Sequence, residues 1–284
     1  MGTQAQKLRA LLESGEHFIA ADCYSALTGR IVEQVGFRAC YLGGHACSAF
    51  HYAVPDLGVY SQVEQIEQAG RIVDAIGIPL IADADTLGET VADAYHFTRR
   101  YERAGVAGIH IEDERLPKHS AYANDLLPIA DMQARIDACV QARSDPAFVL
   151  IARCDEFYTR ALGGGGGGVL EEGILRGRAY LEAGADALVF PLAPPEISTR
   201  LRDELKAPMC AGLGAPFPGA ALTLSTGWGW TGAAQLHLER ARELFETGSV
   251  TGSRDIEGKA QLIQQDVYDG LVAAWARKTG RPTR

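Results

Sequence analysis

Ile81-Ala82-Asp83-Ala84-Asp85-Thr86 and, about one helix further on, Ala107-Gly108-Ile109-His110-Ile111-Glu112-Asp113-Glu114 share one pattern. Each is an apolar run of strand length whose last residues turn acidic. Strands that read as near-continuous apolar runs belong to a parallel sheet covered on both faces. Two such strands presenting carboxylates at the same end form a cradle of hard oxygen ligands, the kind Mg²⁺ prefers.

The pattern recurs along the chain. His17–Ala21, Ala39–Leu42, Pro79–Asp83, Gly108–Glu112, Phe148–Ala152, Ala187–Pro191 and Pro208–Ala211 read as strands, with Ala221–Ser225 as an eighth. Amphipathic helix patterns fill intervals between them: Ser61–Ala75, Val91–Ala104, Ala130–Ala142 and Glu171–Ala183. Ala104-Gly105 and Ala183-Gly184 place a glycine just past a helix end, where the left-handed conformation turns the chain back into the sheet. Repeated βα units over this length predict a (β/α)₈ TIM-type barrel, an α/β fold, in a single domain spanning 1–284. Beyond Gly212 the spacing is too short for a full seventh helix, so the barrel is expected to be locally rebuilt there. Residues 250–284 read as a C-terminal helical extension, with Ile263, Val267, Leu271 and Trp275 along one face. That stripe needs a partner, and a second subunit would cover it. Gly163–Gly168, six glycines in a row, predicts a mobile loop. It lacks the Gly-Lys-Ser/Thr ending of a phosphate-cradling loop.

Composition narrows the function classes. The 284 residues are 47% hydrophobic and 22% charged, which suffices for a full core. A net charge of −9 argues against a nucleic-acid surface or an anionic membrane as partner. No stretch is long and apolar enough to span a bilayer. The six cysteines show no CxxC spacing and lie mostly in apolar runs, as buried reduced thiols of a cytoplasmic protein do. Met1–Ala10 lacks the basic-then-apolar pattern of a signal peptide, so cytoplasmic localisation is expected.

In such a barrel, catalytic residues gather at the C-terminal strand ends. Those ends hold Asp22, Tyr24 and Ser25, then Gly43-Gly44-His45 with Asp56 beyond, then Asp83 and Asp85, Glu112 and Asp113, and finally Arg153 and Asp155. Asp56, Asp83, Asp85 and Glu112 are the candidate metal ligands, for Mg²⁺ or alternatively Mn²⁺. The rival reading makes Asp83 and Asp85 helix caps and Asp56 a turn residue. Arg153 would clamp a substrate carboxylate through two parallel hydrogen bonds, or pair structurally with Asp155 or Glu112. Gly43 and Gly44 would offer backbone N–H groups to the same anion.

These residues resemble the isocitrate lyase and phosphoenolpyruvate mutase superfamily. The resemblance runs from about Ala20 to Phe190 and rests on Tyr24–Arg30, Tyr41-Leu42-Gly43-Gly44, Val54-Pro55-Asp56-Leu57-Gly58, Asp83-Ala84-Asp85-Thr86, Ile111-Glu112-Asp113, Pro117-Lys118, Ala152-Arg153-Cys154-Asp155 and Ala179–Asp186. It implies a Mg²⁺-dependent barrel, usually a homodimer or homotetramer exchanging C-terminal helices. It also implies a small 2-oxo or 2-hydroxy carboxylate as substrate, and bond cleavage through a stabilised enolate. By the match, Tyr24, Gly43, Gly44 and Arg153 take substrate roles; His45, beside them, is a further candidate contact. Lys118, Arg153, Ser120 and Tyr24 are the candidate catalytic residues.

The chain departs from the family in four places. The lyase loop's cysteine is absent, and Lys118-His119-Ser120-Ala121-Tyr122 stands there instead. Ser25 replaces an aspartate, Pro191-Leu192 replaces polar residues after strand six, and Gly212 stands where an asparagine is usual. The expected activity is therefore carbon–carbon lysis, by retro-aldol cleavage or decarboxylation. Phosphonopyruvate-type P–C chemistry is the alternative within the enzyme class, and a carboxylate-binding protein on the same barrel the alternative outside it.

Overall fold

The computed structural model describes residues 2–119, 125–162, 168–212, 216–252, 256 and 258–281. Contacts group the chain into two compact units, 1–232 and 233–284.

The first unit is a barrel. Helix α1 (Gln4–Glu13) precedes β1 (Phe18–Asp22); α2 (Ala26–Val35), β2 (Ala39–Leu42), α3 (Gly44–Tyr52), α4 (Gln62–Val73) and β3 (Leu80–Asp83) follow. Next come α5 (Val91–Arg103), β4 (Gly108–Glu112), α6 (Ile129–Ala142), β5 (Val149–Arg153), α7 (Glu156–Leu162), α8 (Leu170–Glu182) and β6 (Ala187–Val189). Then α9 (Pro195–Leu205), β7 (Met209–Gly212) and β8 (Leu222–Ser225) lead into α10 (Trp228–Thr247), which runs on into the second unit. The eight strands are all parallel and close in sequence order, β8 pairing with β1. The expected local rebuilding after Gly212 is there: β7 and β8 pair directly, Gly212 opposite Leu224, and residues 216–221 between them form no helix. The barrel nevertheless closes, because a strand needs only its neighbour's backbone to complete the ladder.

Local chemistry sets the helix starts. Ser25, Ser61 and Thr90 each cap a helix with a side-chain oxygen and are answered by the residue three further on, reciprocal capping boxes at the starts of α2, α4 and α5. The Ser25 departure thus has a plain structural role. Gly105 and Gly184 take φ of +81° and +102°, the left-handed turn expected after α5 and α8.

Side-chain alternation sorts the barrel into an inner and an outer core. Phe18, Ala20, Tyr41, Ile81, Ile151 and Val189 belong to the inner cluster. Leu8 of α1, fully buried, joins them, so the N-terminal helix plugs the bottom of the barrel. The outer faces of the strands pack on the helices through residues such as Leu80, Ile109, Leu150 and Leu188. All six cysteines are buried free thiols, as expected.

The second unit contains the rest of α10, the short α11 (Lys259–Leu262) and α12 (Gln265–Thr279). Val267, Leu271 and Trp275 of α12 are exposed, together with Phe245 of α10, which is 92% exposed. No described helix is long and apolar enough to cross a membrane. The glycine run lies outside the described residues except for Gly168.

Candidate active site

Extending the inner-core alternation one step past each strand's packed residues reaches the C-terminal mouth. There β1, β3, β4 and β5 present Asp22, Asp83, Glu112 and Arg153, while β2 and β6–β8 lead to Gly43, Pro191, Gly212 and Thr226. Register seats Asp83 opposite His110 and Glu112 opposite Arg153. Asp83 is the last residue of β3, and Asp85 lies in the turn just beyond it, where its backbone N–H reaches back to the Asp83 carboxylate.

The carboxylates are buried and tied together. Asp83 accepts from the backbone N–H groups of Gly44 and Asp85, both at 3.0 Å. A Cβ at Gly44 would lie 3.1 Å from Asp85 Oδ1 and 3.2 Å from Asp83 Oδ2, close enough to push the two carboxylates a few tenths of an ångström aside. Asp85 adopts φ +47°, an uncommon left-handed conformation for a non-glycine residue. Its carboxylate meets the Lys118 ammonium in a very short contact. Lys118 Nζ also lies 3.2 Å from Asp56 Oδ1 and 3.4 Å from Glu112 Oε1, with no exposure to solvent. Arg153 Nη1 sits 3.0 Å from Glu112 Oε2, and Asp155 Oδ1 holds its Nε and Nη2 at 3.0 and 2.8 Å. Arg153 therefore pairs with both acids weighed from the sequence, and it also lines the cavity.

These surroundings set the protonation states. Burial raises the Asp83 carboxyl, but His110, Lys118 and Arg153 outweigh it and hold the group well below the usual carboxylate range. His110 is itself pushed down by burial, so near neutral pH the two permanent cations carry that effect. Burial and the neighbouring acids Asp83, Glu112 and Asp56 push Asp85 up to about 7 against the pull of Lys118. Asp155 is pushed up to about 8, by burial first and then by Glu112 and Asp113. Lys118 stays charged because the acids around it outweigh its burial.

The donor set fits a divalent cation. Asp56, Asp83, Asp85 and Glu112 supply only hard oxygen ligands; Lys118 meets Asp56, Asp85 and Glu112, Arg153 meets Glu112, and Asp83 lies 3.5 Å from His110. Both Glu112 oxygens are fully buried and lack a hydrogen bond of good geometry, although the two cations stand at ion-pair distance. A buried carboxylate without donors is what a metal ion would satisfy. Glu112, Glu114 and His119 also bring one ligand atom each to within 4.8 Å of one another.

Above this floor is a cavity of about 370 Å³. Asp56, Asp83, His110, His119 and Arg153 line one side, with Gly43, Gly44 and His45 beside them. His119 lies 3.3 Å from Glu114 and 3.6 Å from Asp56, and packs on Tyr158 with ring centroids 4.8 Å apart. His110 is joined by a 2.7 Å hydrogen bond to the Tyr41 hydroxyl. Asp85, Glu112 and Lys118 are buried against these lining residues rather than among them.

Several candidates take other positions. Tyr24 is outside the lining and packs on Phe50, ring centroids 4.5 Å apart. The Gly44 N–H is given to Asp83 rather than left free for a substrate anion. Asp22 is turned to Gly229 N at 3.3 Å, at the start of α10, and Ser120 lies outside the described residues. Trp230 lines the cavity, whereas Trp228 and Leu192 do not. Tyr41, His110 and Glu114 are members of the site that motif reading missed. The available signal was alternation, because His110 stands two residues before Glu112 on the same face of β4.

Comparison with known proteins agrees with this geometry. The phosphoenolpyruvate phosphomutase family model matches residues 8–223. A 2,3-dimethylmalate lyase of Eubacterium barkeri is 35% identical over 67% of this chain and 63% of its own length. A phosphonopyruvate hydrolase of Variovorax sp. is 38% identical over 66% of this chain and 63% of its own length. The chain thus spans a little under two thirds of these curated relatives. Among solved structures, a phosphonopyruvate hydrolase in complex with oxalate and Mg²⁺ superposes with a TM-score of 0.83 at 26% identity, covering 96% of this chain and 99% of that one.

The Lys118 geometry makes a prediction. With divalent ions chelated, Lys118→Met is expected to lose about 3–5 kcal/mol of unfolding free energy, because the acids are left facing one another. Added Mg²⁺ should then raise the variant's Tm by more than it raises the wild type's. Equal stability of the two proteins in chelator would show that the ammonium is not compensating the cage.

Proposed function

Because this chain belongs to the phosphoenolpyruvate phosphomutase family, within the isocitrate lyase superfamily, we propose that it is a Mg²⁺-dependent carbon–carbon lyase of small 2-oxo or 2-hydroxy carboxylic acids. The observation that carries this reading is the convergence of Asp56, Asp83, Asp85 and Glu112 beside Arg153 at the floor of one cavity. Relatives named oxaloacetate decarboxylase and 2-methylisocitrate lyase support the reaction class. Mn²⁺ would fit the same oxygen donors.

The residues divide the work. Arg153, pinned by Asp155 and Glu112, presents its guanidinium to the cavity to pair with the substrate carboxylate. Gly43 and His45 line the same cavity, Gly43 close to Thr226 and His45 with its ring 5.1 Å from that of Trp230. Asp56, Asp83, Asp85 and Glu112 would hold a divalent ion, which would supply positive charge against an enolate. Gly44 N–H and Asp85 N–H fix the orientation of Asp83 before substrate arrives. His119 faces the cavity; burial lowers its pKa, but the Asp56, Glu112 and Glu114 carboxylates around it outweigh burial and raise it, so it can hold a proton for the departing carbanion. The loop cysteine that the family resemblance would place here is absent, and His119 stands in that stretch. Without a bound ion, Lys118 compensates Asp56, Asp85 and Glu112. Tyr24 and Ser120 stand as further candidates for substrate contact and proton transfer.

We read residues 250–284 as a helical extension of one catalytic domain, and the enzyme as a cytoplasmic homodimer or homotetramer. The exposed Val267, Leu271 and Trp275 on α12 and Phe245 on α10 support assembly, since apolar side chains so exposed gain most by burial against a second copy.

Two measurements test the proposal. Mg²⁺ with oxalate should raise Tm in the wild type but not in Asp83→Asn, and that variant should lose at least about a thousandfold in kcat/KM, or ~4 kcal/mol of transition-state stabilisation. No shift with either Mg²⁺ or oxalate would sink the metal-enolate reading, and a shift without turnover of any 2-oxo or 2-hydroxy acid would favour a binding protein. Sedimentation at micromolar concentration should show a dimer or larger, and a monomer would contradict the assembly.

A further inference from the structure

The cavity is electrically divided. Its charged and imidazole-bearing lining residues, Asp56, Asp83, Arg153, His45, His110 and His119, come from β3, β4, β5 and the segments following β2 and β4. From β6 onward the lining changes to Val189, Pro191, Leu224 and Trp230, with Thr226 and Thr231 as its hydroxyls. The sequence behind that wall has no Asp, Glu, Lys or Arg from Ala187 to Pro195, nor from Ala207 to Leu238. These stretches include residues 213–215, which are Leu, Gly and Ala. Among the described residues lining the cavity, none on the β6–β8 arc is a fixed cation that could receive a second acid group. His45 is the nearest imidazole, exposed at the rim with its ring 5.1 Å from that of Trp230.

We propose that the substrate carries one carboxylate, at the Arg153 end, and an uncharged alkyl or aryl group laid against Val189, Pro191, Leu224 and Trp230, so that the cleavage is retro-aldol. The C3–C4 bond of a 4-hydroxy-2-oxo acid breaks, its electron pair enters the enolate at the carboxylate end, the 4-hydroxyl gives up its proton, and the tail leaves as an aldehyde. A distal carboxylate placed there would lose its water with only the Thr226 and Thr231 hydroxyls, and no cation, to replace it, which is penalised. An apolar tail gains by leaving water and by contact with the indole face. The volume of about 370 Å³ suits this, being within the range of ligand cavities and larger than a two- or three-carbon acid fills. Pro191 and Trp230 are then specificity-determining residues. The inference rests on the proposed function, because the carboxylate head must be held at the Arg153 end for the tail to reach this wall.

The test is calorimetric binding to the full chain in Mg²⁺, with three ligands sharing a head group: oxalate, 4-methyl-2-oxopentanoate and 2-oxoglutarate. Oxalate should bind, and 4-methyl-2-oxopentanoate should bind at least about tenfold tighter than 2-oxoglutarate. Pro191→Lys should cut that preference by about tenfold or reverse it, with oxalate affinity unchanged as evidence that the variant is folded. Trp230→Ala, which introduces no charge, should weaken 4-methyl-2-oxopentanoate by about fivefold or more and leave 2-oxoglutarate alone. Oxalate binding together with equal or tighter binding of 2-oxoglutarate overturns the apolar-tail inference and leaves the proposed function standing. An unchanged preference in both variants likewise overturns it. No binding of oxalate overturns the proposed function, and this inference with it.

Discussion

A carboxylate removed from water costs several kcal/mol unless an opposite charge or good donors meet it, and at one end of this barrel several are removed together. Asp83, Asp85, Glu112 and Asp155 are nearly or fully buried, with Asp56 at their edge. Two side-chain cations answer them, Lys118 among the first group and Arg153 between Glu112 and Asp155. The shortfall in positive charge shows in Asp85 and Asp155, both pushed far above the ordinary carboxylate range by burial and by each other's neighbours. A divalent ion is the simplest addition that balances such a site.

The barrel makes this arrangement possible. Strand alternation turns the same face of every strand inward, so the bottom and middle are filled by Leu8, Phe18, Ile81, Ile151 and their neighbours. The next inward position is free to be polar. Around the ring it is acidic or basic on β3 to β5 and proline, glycine or threonine on β6 to β8. One half of the cavity can thus stabilise charge while the other excludes it. That division matches a reaction whose charge develops at one end of a small molecule.

Much of this was legible in the chain. Asp83, Asp85, Glu112 and Arg153 announce themselves because each ends an apolar strand. The βα period places these three strand ends on one side. The eighth strand and the missing helix after Gly212 were readable from spacing alone. What stayed hidden depends on long-range packing. Leu8 as the barrel plug, Lys118 folded in among the acids, and the Gly44 N–H spent on Asp83 all involve partners far apart in sequence. The site role of His110 was masked by a strand that reads as uniformly buried. Tyr24 went the other way: its motif suggested substrate contact, and its ring packs on Phe50.

The central claim is that the buried acids form a divalent-cation site held shut by Lys118. An anomalous-scattering map from crystals soaked in Mn²⁺ tests it directly. The account predicts one strong peak at about 2.0–2.2 Å from carboxylate oxygens of the Asp83, Asp85 and Glu112 group or their bound waters, with the Lys118 ammonium displaced from its present position. No peak among these acids, with Lys118 unmoved, would contradict it.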